Sequence, residues 1–224
     1  MTNIIVLSFV YLIAISILLI FNEINYRRLK VQGEITRKFA HFVSCLAVVP
    51  FPYIFTSHWY ILILASIFFI VLFITQFGKQ LKSIHDIKRK SIGSYLLPLS
   101  IYTTFLISYK LENKFVYILP MLVLAISDPM AAILGINIKK YNGRIKVFGH
   151  KLNKTWLGSG AFFVSSLVIS IIALYFHREL FDLKTFWLAL AVAATSTLAE
   201  LISWRGSDNL TIPLSVVLIL VLFL

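Results

Sequence analysis

The sequence predicts an all-α fold, a polytopic bundle of transmembrane helices. Three observations carry this reading. Hydrophobic residues make up 59% of the 224-residue chain and charged residues 13%, whereas soluble domains carry roughly 25% charged residues. The apolar residues fall in runs close to the about 20 helical residues that cross a hydrocarbon core about 30 Å thick. The 21 Lys and Arg, set against 9 Asp and Glu, gather in alternate connections between those runs.

In chain order the runs lie near 3–22, 38–56, 59–77, 92–109, 115–136, 156–176, 185–204 and 210–224. They predict about eight spans in a single domain, 1–224, because no polar connection is long enough to act as an interdomain linker. Seven spans is the alternative, since only Thr56-Ser57-His58 separates the second and third runs and the last is short. The first run has no Lys or Arg before Arg27 and no small-residue cleavage site, so it reads as a retained span. The second opens on Arg37, Lys38 and His41 and contains Cys45, the single cysteine, which excludes an intramolecular disulfide framework and a cysteine-built zinc site. From Gln80 to Lys90, Leu81, Ile84 and Ile87 recur near helical spacing among lysines, which predicts a short helix lying on the membrane surface. Lys88-Arg89-Lys90-Ser91-Ile92-Gly93-Ser94 then starts the fourth span, offering cations and free backbone N–H groups that favour an anion. The fifth run holds Asp128 beside Pro129. A loop from Asn137 to Lys154, with Asn142-Gly143 as its turn, leads to the sixth. The seventh closes near Glu200, and Ser203, Arg205, Asp208 and Asn209 precede Pro213 in the last.

Odd-numbered connections hold 17 of the 21 Lys and Arg. The positive-inside rule places these in the cytoplasm and the N-terminus on the non-cytoplasmic side. The net charge of +12 therefore faces an anionic leaflet of the lipid bilayer and soluble nucleotides, and no nucleic-acid partner is expected.

With that topology the polar residues collect on one side. Asp128 lies roughly 12 Å inside the inner end of its span at 1.5 Å per residue, and a carboxylate at that depth is costly enough to mark function. Pro129 removes a helical hydrogen bond beside it, which requires protein or a water-filled cavity to cover the freed carbonyl. Gly135, on the same face as Asp128, lets another helix or a ligand approach the backbone. Arg37, Lys38 and His41 share one face of the second span. The fifth connection carries Lys139, Lys140, Arg144, Lys146, Lys151 and Lys154 and no acid. At its end Lys154 and Thr155 meet Gly158-Ser159-Gly160 in the first turn of the sixth span, a phosphate cradle by composition. This is not a Walker A loop, because Gly149 and Asn153 miss the G-x-x-x-x-G-K-[ST] spacing. Glu200 and Asp208 add acids near the same surface and are candidate Mg2+ ligands, since hard cations favour carboxylate and phosphate oxygens; capping of the last helix is the other role open to Asp208. Glu23, Glu34, Asp86, Glu112, Glu179 and Asp182 lie outside the spans or at their ends and read as solvated. Phosphate chemistry at the cytoplasmic surface fits this distribution. Ion-coupled transport, the competing class, needs polar groups across the membrane, and the outer halves of the spans are almost wholly apolar.

Four segments then form a pattern: Ile35-Thr36-Arg37-Lys38-Phe39-Ala40-His41, Ser127-Asp128-Pro129-Met130-Ala131-Ala132-Ile133-Leu134-Gly135, Lys154-Thr155-Trp156-Leu157-Gly158-Ser159 and Gly206-Ser207-Asp208-Asn209-Leu210-Thr211-Ile212-Pro213. Together, over about residues 34–214, they resemble the CTP-dependent lipid-alcohol kinases, a group that includes dolichol and polyprenol kinases, phytol and farnesol kinases and the CTP-dependent diacylglycerol kinase. It is related in turn to the phosphatidate cytidylyltransferases. The resemblance implies one transmembrane kinase domain with CTP and a membrane lipid alcohol as partners, Mg2+ as cofactor and an active site at the cytoplasmic face; a homo-oligomer is compatible with it. Arg37, Lys38, Asp128 and Gly135 are the residues it implies to be essential, with His41 and Lys154 beside them in catalysis. The nucleotide is expected at Gly135, Lys139, Lys140, Arg144, Lys151, Thr155, Gly158, Ser159 and Asn209, and the metal at Asp128, Glu200 and Asp208. One departure stands out. Leu157 occupies the place of the family's Glu in K-[ST]-x-E-G-[ST], which leaves that role unfilled or passes it to Glu200 or Asp208.

Overall fold

The computed structural model describes residues 2–30, 33–77, 81–85, 91–138, 143–147 and 150–224. Among these run α1 (Thr2–Leu29), α2 (Gly33–Val48), α3 (Phe51–Ile54), α4 (His58–Phe77), α5 (Lys82–His85), α6 (Gly93–Lys110) and α7 (Phe115–Asn137), then strands β1 (Arg144–Val147) and β2 (His150–Thr155), then α8 (Trp156–Arg178), α9 (Leu183–Ile202) and α10 (Asp208–Phe223). The fold is all-α apart from that hairpin.

Helix α7 is the axis. Leu119, Val123, Leu124 and Ala125 are fully buried because α2, α6, α8 and α10 all pack around it, and α9 closes the layer behind α8 and α10. Apolar side chains do not drive helix association in lipid, so close approach depends on small residues and polar contacts. The α7–α8 crossing shows both. A Cβ on Gly158 would lie 2.9 Å from the Ala131 carbonyl oxygen, and one on Gly135 would lie 3.0 Å from Thr155 Oγ1. Deeper in the same crossing, Ser166 Oγ donates to Ser127 Oγ at 3.0 Å.

Each apolar run contains a helix, and among the described residues five are long and apolar enough to cross a membrane: Ile4–Leu29, His58–Gln76, Phe115–Ile136, Trp156–Arg178 and Leu183–Ile202. The chain is thus an integral membrane protein by its helices. The second run, expected as one span over 38–56, is instead divided. Helix α2 stops at Val48, Val49 N–H bonds to the Leu46 carbonyl, and α3 restarts beyond Pro50 with Pro52 in its first turn. Proline lacks the N–H that would continue the ladder and is tolerated at such a restart.

Helix α1 lies on the outside. Most of its apolar side chains are exposed; it meets the rest of the protein through Ile15 and Leu19, which cluster with Ile84 of α5, and through Ile4, Tyr11 and Leu12, which pack on the Phe51 and Phe55 cluster. The expected surface helix is described only over the four residues of α5, whose Ser83 and Ile84 turn inward and are buried; Gln80 and Asp86–Lys90 lie outside the described residues. Glu23, expected to be solvated, accepts from Arg27 Nε at 2.6 Å and from the Ser83 N–H at 2.8 Å, so it ties α5 to α1. Glu34 and Asp182 also take partners, while Glu112 and Glu179 stay exposed beyond helix C-termini.

The expected loop over 137–154 contains the antiparallel hairpin, with Arg144 opposite Thr155, Lys146 opposite Lys151 and Val147 opposite His150. Alternation of Arg144, Ile145, Lys146 and Val147 explains it, since period two suits a strand and Ile145 is buried at 5% exposure. The strands connect through 148–149; Asn142, Phe148 and Gly149 lie outside the described residues, and with Asn142 the expected Asn142-Gly143 turn.

Candidate active site

Helix α2 presents Thr36, Lys38, Ala40, His41 and Cys45 to the interior. Lys38 Nζ donates to both oxygens of Asp128, 2.6 Å to Oδ1 and 2.5 Å to Oδ2. His41 Nε2 stands 3.5 Å from Asp128 Oδ2, and Cys45 Sγ lies 3.6 Å from the same nitrogen. All of these are buried. Taking an ion pair out of water costs several kcal/mol per ion, so α7 carries Asp128 into this position at a real energetic cost.

A second charged group lies where β2, α8, α9 and α10 meet. Lys154 Nζ is 2.5 Å from Glu200 Oε1 and 3.6 Å from Asp208 Oδ2, and Ser159 Oγ donates to Glu200 Oε2 at 3.1 Å. Burial works against the charge of Lys154, but Asp208 and Glu200, with Asp128 beyond them, outweigh it and hold the ammonium above its ordinary value. Arg37 is within electrostatic reach of both Asp128 and Asp208. The two groups therefore form one field at the basic end of the molecule. Arg37 itself is clamped by Glu34, with Nη2–Oε1 2.7 Å and Nε–Oε2 3.3 Å.

The remaining expected residues divide. Thr155 caps α8 by accepting from the Gly158 N–H at 3.2 Å, and the Trp156 N–H bonds to the Gly143 carbonyl. The N–H groups at 156 and 158 are thus satisfied from within the chain, and Gly135 and Gly158 serve the α7–α8 contact. Asn209 donates through Nδ2 to the Gly93 carbonyl at 2.7 Å. Arg144 is exposed on β1. Lys139 and Lys140 lie outside the described residues, as does the side chain of Lys151.

The three carboxylates expected to share a metal are not gathered into one set. Among the described residues no three His, Cys, Asp or Glu side chains converge closely enough to hold an ion by themselves. Glu200 and Asp208 do converge on a cation, the Lys154 ammonium. Mg2+ characteristically uses one or two carboxylates together with substrate phosphates, and this pair fits that donor set. With Leu157 exposed on α8, Glu200 is the acid that stands beside Lys154 and Ser159.

Beside the charged groups lies a cavity of about 630 Å³ between α1, α2, α4 and α6. Its walls are apolar, with Leu19, Val48, Phe51, Leu64, Phe68 and Leu72 among them; Arg37, His41, Arg205 and Asn209 also line it. The sequence showed Arg205 but gave it no role and did not reveal the contact that places it. The Ile92 N–H bonds to the Arg205 carbonyl at 2.8 Å, and a Cβ on Gly206, at φ +93°, would lie 2.6 Å from the Gly93 nitrogen. Gly93 and Gly206 were the available signal, since paired glycines near two helix starts allow such an approach.

The helix bundle thus buries paired charges beside an apolar cavity. The chain belongs to the cytidylyltransferase family, whose family model matches residues 1–206. That membership points to CTP-related chemistry on a lipid. No curated protein and no solved structure matches the chain.

Proposed function

We propose that the protein transfers the γ-phosphoryl group of CTP to the hydroxyl of a membrane lipid alcohol of polyprenol, dolichol or phytol type, at the cytoplasmic face, leaving the lipid phosphate and CDP. One observation carries the reading: His41 touches the apolar cavity on one side and Asp128 on the other. A hydroxyl lodged in the cavity against His41 would have Asp128 on the far side of that ring. Lys38 occupies both Asp128 oxygens, so Asp128 serves to orient His41, and His41 accepts the hydroxyl proton. The lipid oxygen bonds to the γ-phosphorus as the bond to the β,γ-bridging oxygen breaks. Such transfer depends on positioning and charge neutralisation more than on covalent chemistry, and Arg37, Lys38 and Lys154 supply the cations. Mg2+, when bound, neutralises the triphosphate oxygens, with Glu200 and Asp208 as its holders. Family membership supports a second reading, a CDP-lipid synthase that transfers the cytidylyl group to a lipid phosphate.

CTP labelled at the α- or the γ-phosphate, offered with a panel of lipid alcohols to protein in detergent, separates the two. Label entering lipid only from the γ-position supports the kinase; label entering only from the α-position overturns it.

A further inference from the structure

The cavity is polar at one end. Arg37, Gln76, Ser91, Ser94, Arg205 and Asn209 line it where α2, α6 and α10 begin and α4 ends. Along α4 the lining continues from Gln76 to Ile61, about 22 Å at 1.5 Å per residue, with apolar side chains beyond the polar end. A slot of that shape fits one long hydrocarbon chain held by its headgroup.

The two guanidiniums at the polar end differ. Arg37 is committed to Glu34 by two hydrogen bonds. Arg205 makes no ion pair among the described residues; its guanidinium stacks 4.1 Å from the Trp204 ring centroid. Its backbone takes φ +51°, a left-handed conformation that non-glycine residues adopt at a cost. The chain tolerates this strain in a turn locked to the start of α6 by the Ile92 and Gly206 contacts. The result is an available, forked, permanently charged donor at the mouth of an apolar slot. A guanidinium matches a phosphate in geometry as well as charge. Tyr95, which also lines the slot, has a buried hydroxyl without a partner among the described residues.

We propose that this cavity is a binding site for a single-chain lipid phosphate, the chain lying between α1, α2, α4 and α6 and the phosphate monoester seated on Arg205. The proposal rests on the reading of the protein as a lipid enzyme but not on the direction of that chemistry. A kinase would hold its product there, and a CDP-lipid synthase its substrate.

The test is equilibrium binding of radiolabelled hexadecyl phosphate and hexadecanol to the full chain in amphipol, without nucleotide. Wild type binds the phosphate at least about tenfold more tightly than the alcohol, the scale of one charge-assisted hydrogen bond. Arg205→Gln removes that preference and leaves hexadecanol binding alone; Arg205→Lys keeps part of it; Ala65→Trp, which fills the slot from α4, abolishes binding of both. CTP binding is unchanged in Arg205→Gln. Equal affinities in wild type, or a preference that survives Arg205→Gln, overturns the proposal. A loss of CTP affinity in Arg205→Gln with lipid binding intact also overturns it, assigning the guanidinium to the nucleotide. A failed γ-label transfer with the phosphate preference intact would remove the kinase reading and leave this one standing.

Discussion

Two cation–aspartate pairs sit at opposite ends of the bundle and were made differently. Arg178 and Asp182 are four residues apart across the α8–α9 turn, joined at 2.8 and 3.1 Å, with side chains 20% and 35% exposed. Asp182 also caps α9 through the Thr185 N–H at 2.7 Å. Everything in that pair is local, wet and inexpensive, and it shapes a turn. Lys38 and Asp128 are 90 residues apart and 8% and 5% exposed. Exposed pairs contribute about 0–1 kcal/mol, whereas a buried pair is often no better for stability than the apolar residues that could replace it. Architecture alone would have been served by the first kind. The proposed function gives the second kind a use, since that chemistry needs charge.

The largest expected effect breaks that contrast most directly. Asp128→Asn lowers CTP-dependent lipid phosphorylation at least about a hundredfold, the range for losing an acid–base or electrostatic group. It also leaves the Lys38 ammonium buried without its carboxylate, at a cost of about 3–5 kcal/mol. The double variant Lys38→Met with Asp128→Leu regains most of that stability in thermal unfolding and none of the activity. An active double variant would make the buried pair architectural, like its counterpart at the other end.

Next in size is Lys154→Gln, which removes the ammonium shared by Glu200 and Asp208. The KM for CTP rises about ten- to a hundredfold, as for a lost hydrogen bond between charged groups, while the α8–α9 turn is unaffected. The variant also changes the response to alkali. Because folding raises the Lys154 value, its stabilisation is complete below the ordinary value of 10.5 and is lost as pH rises through the folded value. Wild type therefore loses stability above that point in a step that Lys154→Gln lacks, measurable as unfolding temperature against pH.

Backbone approach gives a smaller contrast on the way into the site. Gly158→Ala places a methyl 2.9 Å from the Ala131 carbonyl oxygen, which the α7–α8 crossing must move to accept, at about 1–3 kcal/mol. Gly143→Ala meets nothing within 4 Å and changes stability by less than about 0.5 kcal/mol. Thermal unfolding of the two variants compares them; equal effects would mean that the crossing is slack.

The same local-versus-distant difference decides what could be read from sequence. Asp128 announced itself because a carboxylate in an apolar run has so few bland explanations, and Lys154, Glu200 and Asp208 followed from lying near the same membrane surface. Their partners were not legible. Lys38 resembles any cation at a membrane boundary, and only packing of α2 on α7 brings it to Asp128. Arg205 resembles any loop cation until the Gly206 turn is seen against Gly93. The hairpin was hidden for another reason: its period of two runs for only four residues in β1, inside a segment whose charge alone favours a loop. Pro50 and Pro52 were visible, but the hydropathy of 38–56 outweighed them. The cavity belongs to no segment, since four helices and their spacing create it.

The smallest effect is expected at the other end. The hydrogen bonds from Arg178, then those from Thr185, hold the Asp182 carboxyl below its ordinary value of 3.8. A depressed carboxyl stabilises above the unfolded value and loses that contribution as pH falls through the folded one, so this pair weakens only in strong acid, below about pH 3.8. Asp182→Asn keeps an oxygen for the Thr185 N–H and removes the charge. The unfolding temperature at neutral pH falls slightly, the acid-side decline becomes shallower, and lipid phosphorylation keeps its wild-type rate. A loss of activity comparable to that of Asp128→Asn would erase the distinction between the two ends and require the α8–α9 turn to act on the distant site through the length of both helices.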